Sequence, residues 1–523
     1  MLIPWLARYL IPWLLISYVT CTPVSERKSS HTVRQSAVGV VTGVKSRDEN
    51  GNVYVRREVR DLKNNAPDQW SLYILALRQL HTTAQNNPNS FYGIASIHGR
   101  PYDVWGDAPG KKNKIGKAGY CPHGNELFLG WHRPYLALFE QSLSSHVYDI
   151  AKKAPADQIE RYLKAANEFR IPYWDWAQGT TIGPVPDFFT APEIAVTDTD
   201  GSLTVVSNPL YSYKFNPVPA GFDQKTVSNV DRLLALYQGA HPDLWMEKSS
   251  IGPHGNVYLD DYQDVDANTE LLPFRKDPGK FMTFNDCRNT TVLGYAYPET
   301  RRWKFASDQA YQADVTAQIA RMYSGRARAQ SKVTVMSTKP TPFGETLEES
   351  NGTYTDWIIE TQAIASKLPP SFIVKYSLGG MFNSDPVVDV GSWMMLMPER
   401  LDDVHTEKDP STPEKLMNGT TSITPYLVEQ IENKSLKSLE PSDVVPFLTE
   451  KLTWNVYDQN GERVKFPDQK TLSVKVFSTS ARVPDNDEEP IEYDEGSTAY
   501  PEITAGKHGG DKMGRPGMMP PRF

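Results

Sequence analysis

The stretch Trp131-His132-Arg133-Pro134-Tyr135-Leu136-Ala137-Leu138-Phe139-Glu140 decides the fold of this chain. It lies within residues 125–152, which read as one long helix or as a broken pair, since Pro134 can kink a helix or start its second part. Two further histidines stand just upstream. Ile97-His98-Gly99 ends a predicted helix, and Cys121-Pro122-His123-Gly124 immediately precedes the one that carries His132. Three imidazoles on or beside adjoining helices suit copper or zinc, and they leave a coordination position open for substrate or oxygen. On spacing alone, unrelated core or surface histidines are the commoner outcome, because His98, His123 and His132 match no short metal motif.

Working outward, Trp70, Tyr73, Ile74, Leu77 and Leu80 recur at the spacing that puts one apolar stripe on one helix face. Residues 159–169, 229–238 and 308–323 supply three more helices, the last closed by Gly325. Several helices with one buried face predict a bundle, an architecture that builds metal sites from facing side chains. Ahead of them, the β-branched runs at residues 38–44 and 53–59 read as short strands. Residues 326–354 turn polar and rich in Lys, Thr, Pro and Glu, as a linker does. Beyond it residues 371–377, 452–457 and 472–477 alternate with a period of two, and Gln459-Asn460-Gly461-Glu462 lies between two of these runs as a hairpin-like turn. The expected architecture is a mainly α domain with a helical bundle core followed by a β-rich C-terminal domain, residues 355–505. Residues 506–523, dominated by Gly, Pro, Met and charge, read as a disordered tail.

Bulk properties narrow the function. A net charge of −8 and a pI near 5.8 exclude a general nucleic-acid binder, which needs a surplus of basic surface. Small neutral substrates remain compatible. Three cysteines, Cys21, Cys121 and Cys287, cannot make a disulfide framework, so stability rests on packing. Residues 1–24 combine Arg8 with an apolar run at residues 9–19 and read as a signal peptide or leader, although two prolines and the missing small-residue cleavage pattern depart from the usual form. Secretion is the expected route, with a cytoplasmic protein as the alternative. The apolar run is too short and too broken for stable membrane insertion.

The motifs resemble the tyrosinase and polyphenol oxidase family of type-3 copper proteins, especially its fungal members. Ile97-His98-Gly99, Cys121-Pro122-His123-Gly124, the segment from Trp131 to Glu140, and Arg170-Ile171-Pro172-Tyr173-Trp174-Asp175-Trp176-Ala177 look like that family's first copper-binding half, in its order. Asn229-Val230-Asp231-Arg232, His241-Pro242-Asp243-Leu244-Trp245 and Tyr295-Ala296-Tyr297 look like its later landmarks. The resemblance makes residues 36–325 a tyrosinase-like copper domain, and it implies His98, His123 and His132 as ligands of the first copper. It implies that Cys121 is joined to His123 by a thioether, the alternative being a free buried thiol. It also implies an enzyme that uses oxygen to hydroxylate monophenols and to oxidise o-diphenols to o-quinones, as in pigment and melanin formation, with phenolic small molecules and oxygen as partners. The C-terminal domain would shield the copper site until removed, or else serve as a permanent stabilising domain. Trp174 and Trp176 read as core aromatics.

One part of the pattern is missing. The family carries two coppers, because reducing oxygen by two electrons draws one from each copper(I). Its second set of ligands includes a His-x-x-x-His pair on one helical face. None of the ten histidines has another four residues on: Trp245 follows His241 and Tyr258 follows His254. Where the family has a His-His pair before Asn-Val-Asp-Arg, this chain reads Thr226-Val227-Ser228-Asn229. The sequence resembles the family up to Asp223 and again from Asn229, so the expectation is a deletion near residues 223–229. No second-copper ligands are found, and one of two coppers is visible. His254-Gly255-Asn256-Val257-Tyr258 superficially resembles the missing motif but stands in the wrong order. The alternative to the complete enzyme is an inactive or mononuclear copper-binding isoform, or a mis-spliced gene model.

Overall fold

A computed structural model describes residues 40–99, 102–115, 118–175, 186–214, 230–252, 255–323, 353–364, 367–369, 371–379, 387–395, 416–458, 461–465, 471–484, 486, 488–510 and 518–519. The leader, nearly all of the linker and the stretch around residues 223–229 lie outside them. The chain divides into two compact units, residues 1–315 with 400–407, and residues 316–399 with 408–523.

The first unit carries helices α1 (Val59–Asn65), α2 (Pro67–Thr82), α3 (Phe91–His98), α4 (Phe128–Ala151), α5 (Ile159–Glu168) and α6 (Val230–Ala240), and α7 (Asp308–Tyr323) begins in it. Helix α4 is the axis, touching α2, α3, α5 and α6. It runs unbroken through Pro134, so the single-helix reading of residues 125–152 is the one realised. Proline lacks the N–H that would bond the carbonyl of Gly130 four residues back. The Cys287 thiol lies 3.5 Å from that carbonyl and is a weak donor to it. The same glycine admits a neighbour: a Cβ built on Gly130 would sit 1.9 Å from Phe284 Cδ2. Gly130→Ala is therefore expected to destabilise the unit by about 1–3 kcal/mol, the usual cost of overpacking, as read by thermal unfolding.

The two expected N-terminal strands are cut short. Val40 makes an isolated bridge to Arg275, and Tyr54–Val55 pairs in parallel with Tyr295–Ala296. Val59 instead opens α1, where the Glu58 carboxylate accepts from Arg60 N at 2.7 Å. These β-branched residues are selected by burial, with Val41 and Val59 both 2% exposed, rather than by a sheet.

Charges are buried at the centre of the unit. Arg56 reaches Glu140 at 2.9 Å and Asp231 at 3.1 Å, and Arg133 reaches the other oxygen of Asp231 at 2.8 Å. The hydroxyls of Tyr295 and Tyr297 donate to Asp231 at 2.7 and 2.6 Å, and the Arg56 guanidinium lies 3.4 Å from the centroid of the Tyr295 ring. Burial pushes the Asp231 carboxyl up, but Arg133 and Arg56 outweigh it and hold the group below the usual carboxylate range. Beside this set Arg232 bridges Asp175 at 2.9 Å and Glu299 at 2.7 Å. The N-terminal segment, α4, α6 and the Tyr295-Ala296-Tyr297 element thereby meet at one carboxylate.

A half-buried histidine gives the unit an acid dependence. His81, at the end of α2, packs edge-on to Phe91 and Tyr213, its Nε2 is buried without a hydrogen-bond partner, and desolvation pushes its pKa down to about 4. The unfolded chain binds this proton near pH 6.5 and the folded chain does not, so the group costs nothing above pH 6.5 and costs progressively more as pH falls towards 4. His81→Phe should remove up to about 3 kcal/mol of acid destabilisation, measured as the difference in unfolding free energy between pH 7 and pH 4 in the metal-free protein.

The second unit is built of antiparallel sheets. One has the order Val388–Met395, Phe372–Leu378, Leu452–Asp458. The other runs Leu416–Ser422, Thr353–Ile364, Leu472–Arg482, Ser497–Ala499, Met518–Met519, with Glu492–Tyr493 also on Leu472–Arg482. Trp357, Ile359, Val374, Tyr376, Val474 and Val476 alternate inward and form its core with Leu427 and Leu448 from two helices. Gln459 and Asn460 of the expected turn lie outside the described residues, but the chain on either side of them folds back, with Asp458 N donating to Glu462 O and Tyr457 bridging Arg463. The strands on either side of it nevertheless belong to different sheets, so it does not close a hairpin between them. The expectation of a disordered tail from residue 506 does not hold for residues 506–510. Val474 N donates to Gly509 O, Trp454 Nε1 donates to His508 O, and Lys507 Nζ donates to Leu448 O and Leu452 O at the end of helix Pro441–Lys451. These polar contacts fix residues 506–510, which composition alone marks as flexible.

Candidate metal centre

Each histidine is delivered by a local device. Ser90 Oγ accepts from Gly93 N at 2.9 Å and starts α3, whose last residue is His98. The following chain returns to it: Tyr120 N donates to Ile97 O, while Asn256 Nδ2 donates to Tyr120 O at 2.8 Å and Val257 N to Gly119 O. This brings Cys121 and His123 over the end of α3. Gly124, at φ 71°, takes the left-handed turn that a side chain would resist. Asn125 then accepts from Leu127 N at 3.0 Å, α4 begins at Phe128, and His132 follows one turn in.

The metal-binding atoms converge. His132 Nε2 lies 3.3 Å from His98 Nε2, and Cys121 Sγ lies 3.4 Å from both His123 Nε2 and His132 Nε2. One ligand atom from each of the four residues falls within 4.8 Å of every other. The tautomer of His132 follows from its second nitrogen. Nδ1 faces Phe128 O at 2.5 Å, a carbonyl can only accept, and so Nδ1 carries the proton and Nε2 offers its lone pair to the cluster. Phe128 lies 4.3 Å from the His132 ring, and Trp131 stacks on Tyr135 and packs against Phe274, so the cluster has an apolar aromatic wall.

That wall sets the charge state. Desolvation, with the neighbouring His98 adding to it at His132, pushes His98 down to about 4 and His132 to about 3, and His123 falls well below the ordinary imidazole range for the same reasons. Three neutral imidazoles whose ring nitrogens converge beside a thiol are a donor set for a borderline or soft ion such as copper or zinc. Among the described residues no other group of three or more His, Cys, Asp or Glu side chains is arranged this way.

The sequence-predicted residues His98, Cys121, His123 and His132 are thus brought together. Trp174 packs against Phe189 in a separate part of the core, and His241 is exposed just past the end of α6, its ring tilted against Tyr237. Trp176 and His254 lie outside the described residues. Sequence reasoning missed the residues that hold the site in place: Asn256, which clamps the Cys121 loop, and Arg133 and Asp231, which tie α4 to α6 one residue from His132. A buried arginine beside a ligand and an Asp-Arg pair on another helix were the available signals, but nothing in their spacing joins them. A cavity of about 390 Å³ lined by Pro109, Lys111, Tyr258 and Leu272 is a separate feature, with none of the four cluster residues in its wall. No helix among the described residues is long and apolar enough to cross a membrane.

The chain is similar to known proteins over most of its length. Residues 88–271 match the model of the common central domain of tyrosinase, and residues 356–476 match the tyrosinase C-terminal domain. The tyrosinase of Neurospora crassa is 26% identical over an alignment of 672 positions that takes in 89% of this chain and 97% of the relative. That alignment is longer than this whole chain, so a substantial part of the relative has no counterpart here. Polyphenol oxidase 2 of Agaricus bisporus is 23% identical over 84% of this chain and 95% of its own length. Among solved structures, recombinant mushroom tyrosinase superposes with a TM-score of 0.69 at 19% identity, covering 87% of this chain and 97% of that one. Holo-protyrosinase from Aspergillus oryzae gives a TM-score of 0.59 at 14% identity, covering 87% and 97%. With both domains matched and the histidine cluster inside the first, the chain belongs to the tyrosinase family.

Proposed function

We propose that this chain is a tyrosinase-type copper oxidoreductase that oxidises phenolic small molecules with oxygen, its first copper held by His98, His123 and His132. The convergence of three imidazole nitrogens within 4.8 Å of one another carries this reading, together with family membership. Copper bound there supplies one-electron redox chemistry and a Lewis-acid centre. The protein's own part is positional: Phe128 O fixes the His132 ring, Asn256 holds the loop of Cys121 and His123, and the wall of Phe128, Trp131 and Tyr135 keeps bulk water from the imidazoles.

A second reading, a one-copper member of the family without the coupled oxygen chemistry, is favoured by the ligand count. The chain has no His-x-x-x-His pair, and the described residues hold a single cluster. Copper analysis with an assay of o-diphenol oxidation separates the two. Two coppers per chain with quinone formation establish the enzyme, and one copper with no quinone establishes the second reading. A chain that retains no copper contradicts both.

A further inference from the structure

The loop after Cys287 carries a group that the metal centre does not use. Asn289-Thr290-Thr291 is an Asn-x-Thr acceptor sequence for N-linked glycans. It is the one such sequence in the first unit, the others standing at Asn351, Asn418 and Asn433. Triplets of this kind arise by chance, so the structure around Asn289 decides what this one means.

The inner side of the loop is tied down. Arg133 Nη1 donates to Cys287 O at 3.0 Å and to Arg288 O at 2.8 Å, and Gln238 Nε2 donates to Arg288 O at 3.2 Å. Arg288 Nη2 in turn donates to Pro242 O at 2.8 Å, and its guanidinium lies 4.7 Å from the centroid of the Trp245 ring. The backbone just before Asn289 is thereby held against α4 and the end of α6. Asn289 itself is exposed and caps the short helical turn Thr290–Leu293. Thr291 N and Thr291 Oγ1 both donate to its Oδ1, at 3.0 and 2.9 Å, while Nδ2 makes no hydrogen bond among the described residues. The nitrogen that takes the sugar is therefore unengaged, and a glycan on it displaces no contact. Three residues on, Val292 is 61% exposed, and Tyr237 and Leu244 are exposed on and just after the helix to which the loop is tied. Apolar side chains left at a surface are what a bulky, solubilising sugar covers.

We infer that Asn289 is an N-glycosylation site. The donor is an oligosaccharide carried on a lipid diphosphate. Asn289 Nδ2 forms a bond to the first sugar carbon, the bond from that carbon to the diphosphate oxygen breaks, the diphosphate leaves with the electron pair, and the amide gives up one proton, with no change of oxidation state. The modification requires entry into the secretory pathway, the route expected from residues 1–24, and it is independent of the metal ligands.

The full chain with its own leader, expressed in yeast, tests this by peptide mass. An N-glycosidase acting in heavy-oxygen water converts a glycosylated asparagine to a labelled aspartate, and the peptide holding residue 289 should carry that label. The enzyme should act there on the native protein, without denaturant, because the side chain is exposed. Asn289→Gln should lose one glycan from the intact mass. Thr291→Ala should lose the same glycan although Asn289 is unchanged, and Thr291→Ser, which keeps the hydroxyl, should retain it. If Asn289→Gln or Thr291→Ala does not fold, the wild-type peptide and Thr291→Ser still decide the question. An unlabelled residue 289 overturns the inference, whether the chain stays in the cytoplasm or is secreted with sugar on the other acceptor sequences alone. A glycan that persists at Asn289 in Thr291→Ala overturns it as well.

Discussion

Asp231→Asn is expected to lower the melting temperature of the full chain on the order of 10 °C, or to leave it insoluble. The substitution keeps the shape of the side chain and removes the one charge that Arg56 and Arg133 share, at 3.1 and 2.8 Å, in a region where all three side chains are at most 2% exposed. Breaking a buried ion pair by removing one partner costs about 3–5 kcal/mol, because the remaining charge is left buried and uncompensated. That is a large fraction of the roughly 5–15 kcal/mol that holds a typical domain together. Here two guanidiniums lose their counter-charge, and the hydroxyls of Tyr295 and Tyr297 lose their acceptor. Glu140 still pairs with Arg56, which keeps the loss within that range. Differential scanning calorimetry checks it: a shift under about 2 °C, less than 1 kcal/mol for a unit of this size, would mean that the network is decorative.

The second large effect is on metal. His132→Ala removes the imidazole whose tautomer the fold fixes through Phe128 O. Copper affinity should fall at least about 100-fold, since altering even an outer-shell partner costs 10–100-fold. Stability of the metal-free protein should change by only about 1 kcal/mol, the worth of a single hydrogen bond. Competition with a chelator of known affinity measures the first quantity and denaturant unfolding the second. Equal affinity in the two proteins would place the copper elsewhere, and a collapse of the metal-free fold would make His132 a structural residue instead.

The helices were legible because their apolar stripes are local: the stripe from Trp70 to Leu80 and the segment from Trp131 to Glu140 carry the period of a helix in their own residues. The β-rich second unit was legible for the same reason, with alternation in Phe372–Leu378 and Leu472–Arg482. What sequence could not give was pairing over distance. Val40 and Tyr54 read as strand residues, yet whether a strand forms depends on partners more than two hundred residues away, and Arg275, Tyr295 and Ala296 offer only short edges. Leu452–Asp458 and Leu472–Arg482 look like two arms of one hairpin, and only the pairing of Leu472–Arg482 with Thr353–Ile364 along its whole length shows otherwise.

The site divides in the same way. His98, His123 and His132 were named through resemblance, their spacing being uninformative because α3, a loop and α4 bring them together from 34 residues apart. The place of Cys121 beside His123 came with the resemblance, while its equal approach to His132, 3.4 Å from each ring nitrogen, depends on where α4 starts and was out of reach. The shared carboxylate of Asp231 was equally hidden, lying 175 residues from Arg56 and 98 from Arg133.

X-ray absorption at the copper edge of the copper-loaded full chain tests the central claim most directly, because it reads the ligands of the ion and not the activity that depends on them. The proposed site predicts the multiple-scattering pattern of three imidazoles around the copper bound there, and its loss, with that copper, in a His98→Ala, His123→Ala double variant. A copper without imidazole scattering, or an unchanged spectrum in that variant, would contradict it.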